Sequence, residues 1–559
     1  MHRWTVAALA EQSGLVTAAA TLPELLDVLA TRFGPREALV SARRRVTYAE
    51  LAAESAAIGR ALAARGVGKG TRVGLLMPNW PEWLATAFAV WRCGGLLVPL
   101  NTLNRARELA HCLRHADVAL LIAVRRFLRH DYVAALEEIA PAAAQAPARL
   151  YDARLPALRE VVWLEPPPEG GGVDCGPLLA AGEGLGPQWP GALAAEVSPA
   201  DEATVFFTSG TTAEPKGVVH VHRALCRAAD DIAAVLGIEP EDRTWGYLPF
   251  FFTGGLVAVA LATLARGGAV VLQEVFDAGE TLRLLEAERC TVFFAWPHQA
   301  EALIAHPRFR DVHLHLAKGV GANTKWAATL YPPDHHAVGT FGMTETGPLC
   351  TAWPWDAPLA LRATSHGPPV RGRQVRICDP ENGAPLPAGR AGEICVRGPT
   401  LLARYYRQEP AECLDAEGFF HTGDLGWLDE HGALHFEGRL KDVIKSAGVS
   451  VAAAEVEAAL LAHPAVAAAH VVGVPDAARG ESVAAFVVVK RPASTEELVA
   501  HCRAALASYK VPRHLWLRRD DELPLKGTGK VDKPRLRAEA VALLRDGGGR
   551  GGSPPARPG

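Results

Sequence analysis

The hydrophobic residues of this chain follow two alternating spacings. Residues Leu22–Phe33 repeat leucines at helical spacing, whereas Arg72–Leu76 is a short continuous apolar run of the kind found in buried strands. After a connector rich in Ala, Pro and Gly at 141–191, the alternation resumes, with helices predicted at His222–Leu236 and 256–265. Strands that alternate with helices are typical of parallel, doubly wound sheets. We therefore predict two consecutive α/β subdomains that bind ligands at the carboxyl ends of their strands.

The pattern changes in the last third of the chain. Residues 367–438 predict short strands separated by Gly, Pro and Asp turns, as in a small antiparallel barrel. Residues 439–545 predict a compact mixed unit, and 546–559, made largely of Gly, Pro and Arg, are predicted to be disordered. The predicted fold class is α/β. A large N-terminal domain at 1–438, with two doubly wound subdomains and a small β-barrel, precedes a small α+β C-terminal domain at 439–545.

Composition excludes several classes of function. The chain has 559 residues, which is more than one hydrophobic core usually organises. Its 58 Lys and Arg residues nearly balance 61 Asp and Glu residues, so no basic field points to nucleic acid or to an anionic membrane. The longest apolar run, at 254–265, is too short to span a bilayer. We expect a soluble protein without a membrane span and without a nucleic-acid partner.

The cysteines give no sign of a disulfide framework or a structural metal. The ten cysteines are scattered from Cys93 to Cys502, with no CxxC pair and no Cys/His cluster at zinc-ligand spacing. The first 14 residues lack the apolar core of a signal peptide. These features predict a cytoplasmic location.

One stretch, at 204–220, carries the first candidate chemistry. An apolar run breaks into a loop rich in small hydroxyl residues, where a glycine lets backbone N–H groups approach an anion closely and a lysine adds positive charge. The candidate phosphate ligands are Thr208, Ser209, Gly210, Thr211, Thr212 and Lys216. The loop is not a Walker A motif, because Lys216 follows Pro215 and precedes Gly217. Taken alone, such a stretch would more often be a plain surface loop.

Four further stretches accompany this loop. They are Phe-Gly-Met-Thr-Glu-Thr-Gly at 341–347, Phe-His-Thr-Gly-Asp at 420–424, Gly-Arg-Leu-Lys-Asp-Val-Ile-Lys at 438–445 and Pro-Leu-Lys-Gly-Thr-Gly-Lys at 524–530. In this order the five stretches resemble the signature motifs of the adenylate-forming (AMP-binding) superfamily, in its acyl-CoA synthetase branch. That superfamily also holds the luciferases and the adenylation domains of peptide synthetases. The resemblance covers residues 22–540.

The resemblance implies a two-step reaction. A carboxylate attacks the α-phosphate of MgATP to give an acyl-adenylate and pyrophosphate, and a thiol then attacks the acyl carbon and expels AMP. The first step brings two anions together, so the site must supply positive charge, Mg²⁺ and oriented N–H donors. The implied ligands are a small-molecule carboxylic acid, ATP, Mg²⁺ and CoA. A homodimer is compatible with the resemblance.

The resemblance also assigns a role to each motif residue of the N-terminal domain. The hydroxyl-rich loop, with Lys216, corresponds to the loop that holds the β- and γ-phosphates. Phe341 corresponds to the aromatic residue stacked on adenine, and Thr344 to the hydroxyl on the α-phosphate. Glu345 corresponds to the carboxylate that binds Mg²⁺, a cation that prefers oxygen ligands. Asp424 corresponds to the acid that accepts the ribose hydroxyls.

The C-terminal domain is mobile in the family that this chain resembles. Arg439 corresponds to a second contact with ribose or phosphate. Lys530 corresponds to the catalytic lysine that reaches the α-phosphate and the substrate carboxylate in the first step. Rotation about a hinge at Lys441 then brings the face near Gly448 to the thiol channel, where Lys445 is a candidate contact for phosphate or pantetheine.

The segment after Pro249 departs from the family pattern. A histidine usually stands near the acyl pocket there, whereas this chain has Phe-Phe-Phe at 250–252. The apolar segments at 250–257, 293–296 and 349–355 predict a pocket for a hydrophobic acid such as a medium-chain fatty, alicyclic or aromatic acid. The leading hypothesis is an acid:CoA ligase.

Three alternatives differ in acceptor, substrate or chemistry. An adenylating enzyme could load an acyl or aryl group onto the phosphopantetheine of a carrier protein. Amino-acid activation is disfavoured, because the apolar segments offer no acid to pair with an ammonium group. A binding protein without the chemistry is disfavoured because Lys530, Glu345 and Asp424 are all present.

Overall fold

The structure is a computed structural model that describes residues 19–142, 150–164, 175–208, 215–446, 449–476, 480–506, 510–526 and 530–545. The α-helices are α1 (Leu22–Phe33), α2 (Tyr48–Ala64), α3 (Pro81–Arg92), α4 (Ala106–His115), α5 (Tyr132–Ile139), α6 (Gly176–Leu179), α7 (Trp189–Ala195), α8 (His222–Leu236), α9 (Ala262–Leu264), α10 (Ala278–Ala287), α11 (Pro297–Ala305), α12 (Ala327–Leu330), α13 (Leu359–Arg362), α14 (Ala453–Leu461), α15 (Thr495–Ala505) and α16 (Lys533–Arg545).

The β-strands alternate with these helices along the first two thirds of the chain. They are β1 (Glu37–Val40), β2 (Arg45–Thr47), β3 (Arg72–Leu76), β4 (Leu96–Pro99), β5 (Leu120–Val124), β6 (Arg126–Phe127), β7 (His130–Asp131), β8 (Glu160–Leu164), β9 (Glu202–Thr208), β10 (Lys216–Val221), β11 (Arg243–Gly246), β12 (Ala269–Leu272), β13 (Val292–Phe293), β14 (Lys318–Gly319), β15 (Thr340–Phe341), β16 (Thr351–Ala352), β17 (Gln374–Cys378), β18 (Gly392–Arg397), β19 (Arg404–Tyr405), β20 (Phe420–Leu428), β21 (Leu434–Arg439), β22 (Val443–Ser446), β23 (Val449–Ala452), β24 (Val466–Asp476), β25 (Gly480–Val489) and β26 (His514–Arg518).

Two mostly parallel sheets form the larger part of the fold. The first has the order β14-β13-β11-β12-β1-β2, in which only the β1–β2 pair is antiparallel. The second has the order β19-β10-β9-β4-β3-β5-β8, in which β10 and β19 extend a parallel core in the antiparallel sense. These sheets confirm the predicted pair of doubly wound α/β subdomains.

The helices begin and end where the sequence provides caps. The hydroxyl of Thr21 accepts a hydrogen bond from the backbone N–H of Glu24 at the start of α1 (3.3 Å). Thr47 and Glu50 form a reciprocal capping box at the start of α2. Helix α8 ends at Gly237, whose φ of 62° lies in the left-handed region that favours glycine.

Large aromatic side chains fill two cores beside the parallel sheets. Trp83 and Phe88 of α3 are fully buried in the first core. In the second core the rings of Trp245 and Phe293 stack with centroids 5.2 Å apart. Phe293, predicted to line an acyl pocket, therefore belongs to a hydrophobic core, where each such buried side chain stabilises the fold by about 1.5–3 kcal/mol.

The helix predicted at 256–265 differs in type from the prediction. Residues Gly254–Leu261 form a π-helix, and α9 continues it for three residues. Gly255 allows the chain to enter this element, because a Cβ atom there would collide with the carbonyl oxygens of Leu248 and Pro249. π-Helical segments are rare and occur frequently at functional sites.

The last third contains two smaller sheets. The strands predicted as a small barrel form a four-stranded sheet of order β17-β18-β20-β21. Within the described ranges this order is open, and four short strands are fewer than the roughly five with which small barrels close. Farther on, β23-β22-β25-β24 and β26 form a sheet that packs with α14, α15 and α16, which is the predicted α+β arrangement.

The chain divides into two compact units. Unit 1 comprises Met1–Val375, Val396–Phe420 and Asp429–Leu434, and unit 2 comprises Arg376–Cys395, His421–Leu428 and His435–Gly559. The functional boundary predicted between residues 438 and 439 stays a prediction, as does the disorder of 546–559, which lies outside the described residues. No helix in the described ranges is both long and apolar enough to cross a membrane.

Candidate active site

The predicted phosphate loop connects two antiparallel strands. Thr208, the last residue of β9, pairs with Lys216, the first residue of β10. Four predicted ligands in the loop between them, Ser209, Gly210, Thr211 and Thr212, lie outside the described residues. The loop therefore connects the two strands at one end of the hairpin. This pairing places Lys216 at the same end of the sheet as Thr208.

Lys216 and Glu345 are connected through Tyr405. The ammonium of Lys216 lies 5.1 Å from the centre of the Tyr405 ring, within the range of a cation–π interaction. The phenol hydroxyl of Tyr405 donates a hydrogen bond to Oε1 of Glu345 (2.9 Å). Tyr405 reaches this position because β19 pairs with β10, with Val218 opposite Tyr405. A cationic and an anionic side chain predicted to act on ATP thus share one aromatic neighbour.

Thr344 and Glu345 belong to a tight turn. Residues Thr344–Thr346 form one turn of 3₁₀-helix, which ends at Gly347 with a φ of 73°. The hydroxyl of Thr346 accepts a hydrogen bond from the backbone N–H of Met343 (2.9 Å). Gly342 packs so closely that a Cβ atom there would collide with the carbonyl of Pro348. These contacts fix the backbone of the turn that carries Thr344 and Glu345.

His220 of β10 forms a hydrogen bond with the backbone of the same turn. Its Nε2 donates a hydrogen bond to the carbonyl oxygen of Thr344 (2.7 Å), which places the proton of the neutral ring on Nε2. Complete burial lowers the pKa of His220 to about 4, although the hydrogen bond to Thr344 opposes this effect. The ring is therefore neutral at pH 7 and acts as a fixed hydrogen-bond donor.

Thr344 also contacts the segment that follows the three phenylalanines. Its hydroxyl lies 3.4 Å from the hydroxyl of Thr253, which is almost fully buried. Phe250 packs edge-on against Trp83 (5.3 Å between centroids), and Phe251 against Phe252 (4.6 Å). The predicted α-phosphate ligand therefore adjoins an apolar aromatic segment.

Phe341, the residue predicted to stack on adenine, lies on a short strand beside this turn. It pairs with Thr351 of β16, and only 6% of its surface is exposed. The structure thus gathers Lys216, Phe341, Thr344 and Glu345 in unit 1.

Asp424 and Arg439 form an ion pair in unit 2. Nε of Arg439 lies 2.8 Å from Oδ1 of Asp424, whose side chain is 4% exposed. Nη1 of Arg439 also donates to the carbonyl oxygen of Thr422 (3.3 Å), and the hydroxyl of Thr422 accepts from the backbone N–H of Asp424 (3.0 Å). The carboxylate of Asp424 on β20, predicted to bind ribose, is therefore held by Arg439, the last residue of β21.

Lys530 lies in the same unit as this pair. Its position is open to solvent, yet surrounding protein atoms partly desolvate the ammonium, and this desolvation together with the like charges of Arg439 and Lys526 lowers the pKa of Lys530. Lys445 pairs with Ser450 across the β22–β23 hairpin, and its side chain is outside the described part of the chain. Gly448 is outside it altogether.

Three residues of the site were given no role from the sequence, although two of them lie in stretches that it had singled out, at 204–220 and 250–257. His220, Thr253 and Tyr405 contact the predicted residues, but each lies outside the motif that it supports. Thr253 could have been noticed as the hydroxyl beside the three phenylalanines. Tyr405 carries no local signal, since its contact depends on strand pairing across almost 190 residues.

The mixed α/β fold, with a larger and a smaller unit, and the motif residues that it carries define a class of nucleotide-binding enzymes. A family model described as AMP-binding enzyme matches residues 26–406, and one described as AMP-binding enzyme C-terminal domain matches residues 455–530. The chain belongs to the AMP-binding enzyme family, in its acyl-CoA ligase branch.

Several relatives cover nearly the whole chain. It is 33% identical over 501 residues to the feruloyl-CoA synthase of Amycolatopsis sp, covering 88% of this chain and 93% of that protein. It is 31% identical over 548 residues to the sulfoacetate–CoA ligase of Cupriavidus necator, covering 93% of this chain and 99% of that protein. The crystal structure of ATP-bound MatB from Rhodopseudomonas palustris matches with a TM-score of 0.78 and 28% identity, covering 93% and 99% of the two chains.

These relatives confirm the predicted activity. The protein is an AMP-forming acid:CoA ligase that uses a carboxylic acid, ATP and CoA. Loading of a carrier protein, the alternative acceptor, is not favoured by relatives whose names specify CoA.

Proposed function

We propose that this ligase activates a hydrophobic carboxylic acid, with the reacting carboxylate placed beside Thr344. The observation that carries the proposal is the 3.4 Å contact between the hydroxyls of Thr253 and Thr344. It joins the turn predicted to hold the α-phosphate to the aromatic segment predicted to hold the acid. A carboxylate at this junction attacks the α-phosphorus, pyrophosphate leaves, and the acyl chain extends toward Phe252.

On the phosphate side, the hairpin loop and Lys216 hold the β- and γ-phosphates, and Thr344 donates to the α-phosphate. Glu345 fits the predicted magnesium site because its carboxylate is oriented by Tyr405 through Oε1, and hard cations prefer such oxygen ligands. When bound, Mg²⁺ would neutralise phosphate charge.

On the nucleoside side, Phe341 packs against adenine and Asp424 accepts the ribose hydroxyls. The ion pair with Arg439 supports this role, since it fixes the direction of the Asp424 carboxylate. Arg439 then serves as a second contact with ribose or phosphate.

Lys530 is proposed as the cation that neutralises the carboxylate and the α-phosphate during adenylation. The pKa of Lys530 is lowered, and its ammonium carries a positive charge at every pH below that value. Of the three residues predicted to be catalytic, Lys530 is the one that lies within residues 439–545. Rotation of this domain about Lys441 would remove Lys530 and present Lys445 and Gly448 to CoA, whose thiolate attacks the acyl carbon and releases AMP.

The substrate class rests on the side chains around Phe252. Phe250 and Phe251 are buried, Phe252 is only partly buried, and the π-helix that follows is apolar throughout. A medium-chain, alicyclic or aromatic acid fits these surroundings better than a dianion does. The cytoplasmic location and a homodimer remain predictions.

The test is pyrophosphate release with MgATP across a panel of acids, each with and without CoA. The panel includes medium-chain, alicyclic and aromatic acids, with sulfoacetate as the polar comparison. Release that requires a hydrophobic acid, with CoA consumed, supports the proposal. A preference for sulfoacetate contradicts the substrate class, and release that never consumes CoA contradicts the acceptor.

A further inference from the structure

Three metal-binding side chains meet on the four-stranded sheet of the last third. Glu393 and Cys395 lie two residues apart on β18, so both side chains point to the same face of the sheet. His421 lies on β20, the neighbouring strand. One donor atom from each residue lies within 4.8 Å of the other two. All three residues belong to unit 2.

The distances suit a small tetrahedral ion. Sγ of Cys395 lies 3.5 Å from Nδ1 of His421. Bond lengths of about 2.3 Å from zinc to sulfur and about 2.05 Å from zinc to nitrogen give a tetrahedral edge of about 3.6 Å. The sulfur and the nitrogen are therefore already separated as two ligands of one zinc ion would be.

Glu393 completes the group and is itself held in place. Its Oε2 accepts a hydrogen bond from Nδ1 of His421 (2.7 Å), and its Oε1 accepts one from the backbone N–H of Gly423 (3.0 Å). A metal would replace the proton between Glu393 and His421, and the two atoms would separate by about 0.7 Å to reach a tetrahedral edge. The bond to Gly423 orients the carboxylate, as supporting hydrogen bonds do in known metal sites.

The three residues differ in exposure: one ligand is shielded from water, and the other two are reachable from solvent. Cys395 is completely buried, whereas the His421 side chain is 39% exposed and that of Glu393 is 15% exposed. An ion can reach the group from the side of His421, with water as a fourth ligand. One thiolate, one imidazole and one carboxylate suit zinc and its neighbours in the transition series, and a thiolate disfavours Mg²⁺.

We propose that Glu393, Cys395 and His421 form a binding site for a zinc-class divalent cation, separate from the magnesium site proposed at Glu345. No sequence motif indicated this site, because its ligands are two and 26 residues apart and come from two strands. The site adjoins the ribose contact proposed at Asp424, because Gly423, whose backbone N–H donates a hydrogen bond to Glu393, directly precedes Asp424.

The test uses the full-length enzyme after removal of metal with a chelator. Titration with Co²⁺, monitored by its thiolate charge-transfer absorption, should reach one equivalent per chain, and Zn²⁺ should abolish the absorption by displacing Co²⁺. Cys395→Ser should remove the charge-transfer band, and Glu393→Gln and His421→Gln should each weaken Co²⁺ binding at least about tenfold. Cys502→Ser, which changes another buried thiol of unit 2, should leave the band unchanged.

The outcome depends on the wild-type enzyme, so a misfolded variant cannot decide it alone. If the wild-type enzyme shows no stoichiometric thiolate band, or if the band survives in folded Cys395→Ser, the proposal is wrong. The three residues would then form only a hydrogen-bonded group that holds the turn before Asp424.

Discussion

At the scale of single residues, Tyr405 connects two groups whose motifs are far apart in the sequence. Its ring lies against the Lys216 ammonium and its hydroxyl orients Glu345. The sequence predicted Lys216 and Glu345 because each belongs to a local motif. It could not predict Tyr405, whose position follows from the pairing of β19 with β10.

Replacing Tyr405 by Phe tests this connection. The ring that contacts Lys216 stays, while the hydrogen bond to the Glu345 carboxylate is lost. A hydrogen bond to a charged group contributes about 1.5–3 kcal/mol, so we expect kcat/KM for acyl-adenylate formation to fall about tenfold or more. Tyr406→Phe, which removes the hydroxyl of the residue that directly follows β19, is the matched control and should retain activity. Equal effects of both variants would contradict the role of Tyr405.

A second residue-scale prediction concerns Lys530. Lys530→Ala removes the cation proposed to neutralise the reacting carboxylate and phosphate, so pyrophosphate release should fall at least about 100-fold. Thioester formation from supplied acyl-adenylate should be largely kept, because Lys530 is proposed to leave the site before that step. Lys526→Ala, on the same loop, is the control. If Lys530→Ala slows both steps equally, the proposed alternation of the C-terminal domain is wrong.

At the scale of elements, the most informative difference from the sequence prediction is the π-helix at Gly254–Leu261. Helical periodicity is normally recognised from an apolar stripe with a polar opposite face. This segment is apolar on every side, so its sequence indicates a buried helix without indicating the number of residues per turn. The two α/β sheets were predictable, in contrast, because their strands and helices alternate over long stretches.

The aromatic run that leads into this element allows a paired test. Phe252 is partly exposed, so Phe252→Ala should widen the acid pocket and shift the ratio of kcat/KM toward bulkier acids about tenfold, with little loss of stability. Phe250 is fully buried against Trp83, so Phe250→Ala should lower the free energy of unfolding by about 3–5 kcal/mol. Chemical denaturation and kinetics on an acid series measure the two effects. An unchanged acid preference in Phe252→Ala would remove Phe252 from the pocket.

At the scale of the whole molecule, two buried histidines link stability to pH. Burial lowers the pKa of His220 and of His222 to about 4. His220 donates to Thr344, and Nδ1 of His222 accepts from the backbone N–H of Leu22 at the start of α1 (3.3 Å). Both rings are therefore neutral in the folded protein, and α1 is joined to α8 through one of them.

Stability should consequently decline in acid. Between pH 6.5 and 4 the unfolded chain binds protons that the folded chain does not, so the free energy of unfolding falls as the pH is lowered. Each histidine accounts for up to about 3 kcal/mol over this window. Urea unfolding at pH 7, 5.5 and 4.5 measures the decline. His222→Gln should make it shallower, whereas His431→Gln, at an exposed position, should not change it. A constant unfolding free energy would contradict the prediction.

The two compact units are interleaved along the chain. Each consists of three segments, so the backbone passes from one unit to the other five times. A fragment that begins at residue 439 would lack Arg376–Cys395 and His421–Leu428, and with them Asp424 and nearly all of the four-stranded sheet β17-β18-β20-β21. Recombination between related ligases that is meant to exchange unit 2 intact therefore cannot use a single junction at the predicted hinge. It must transfer the chain from residue 376 onward and accept the pieces of unit 1 that lie within it.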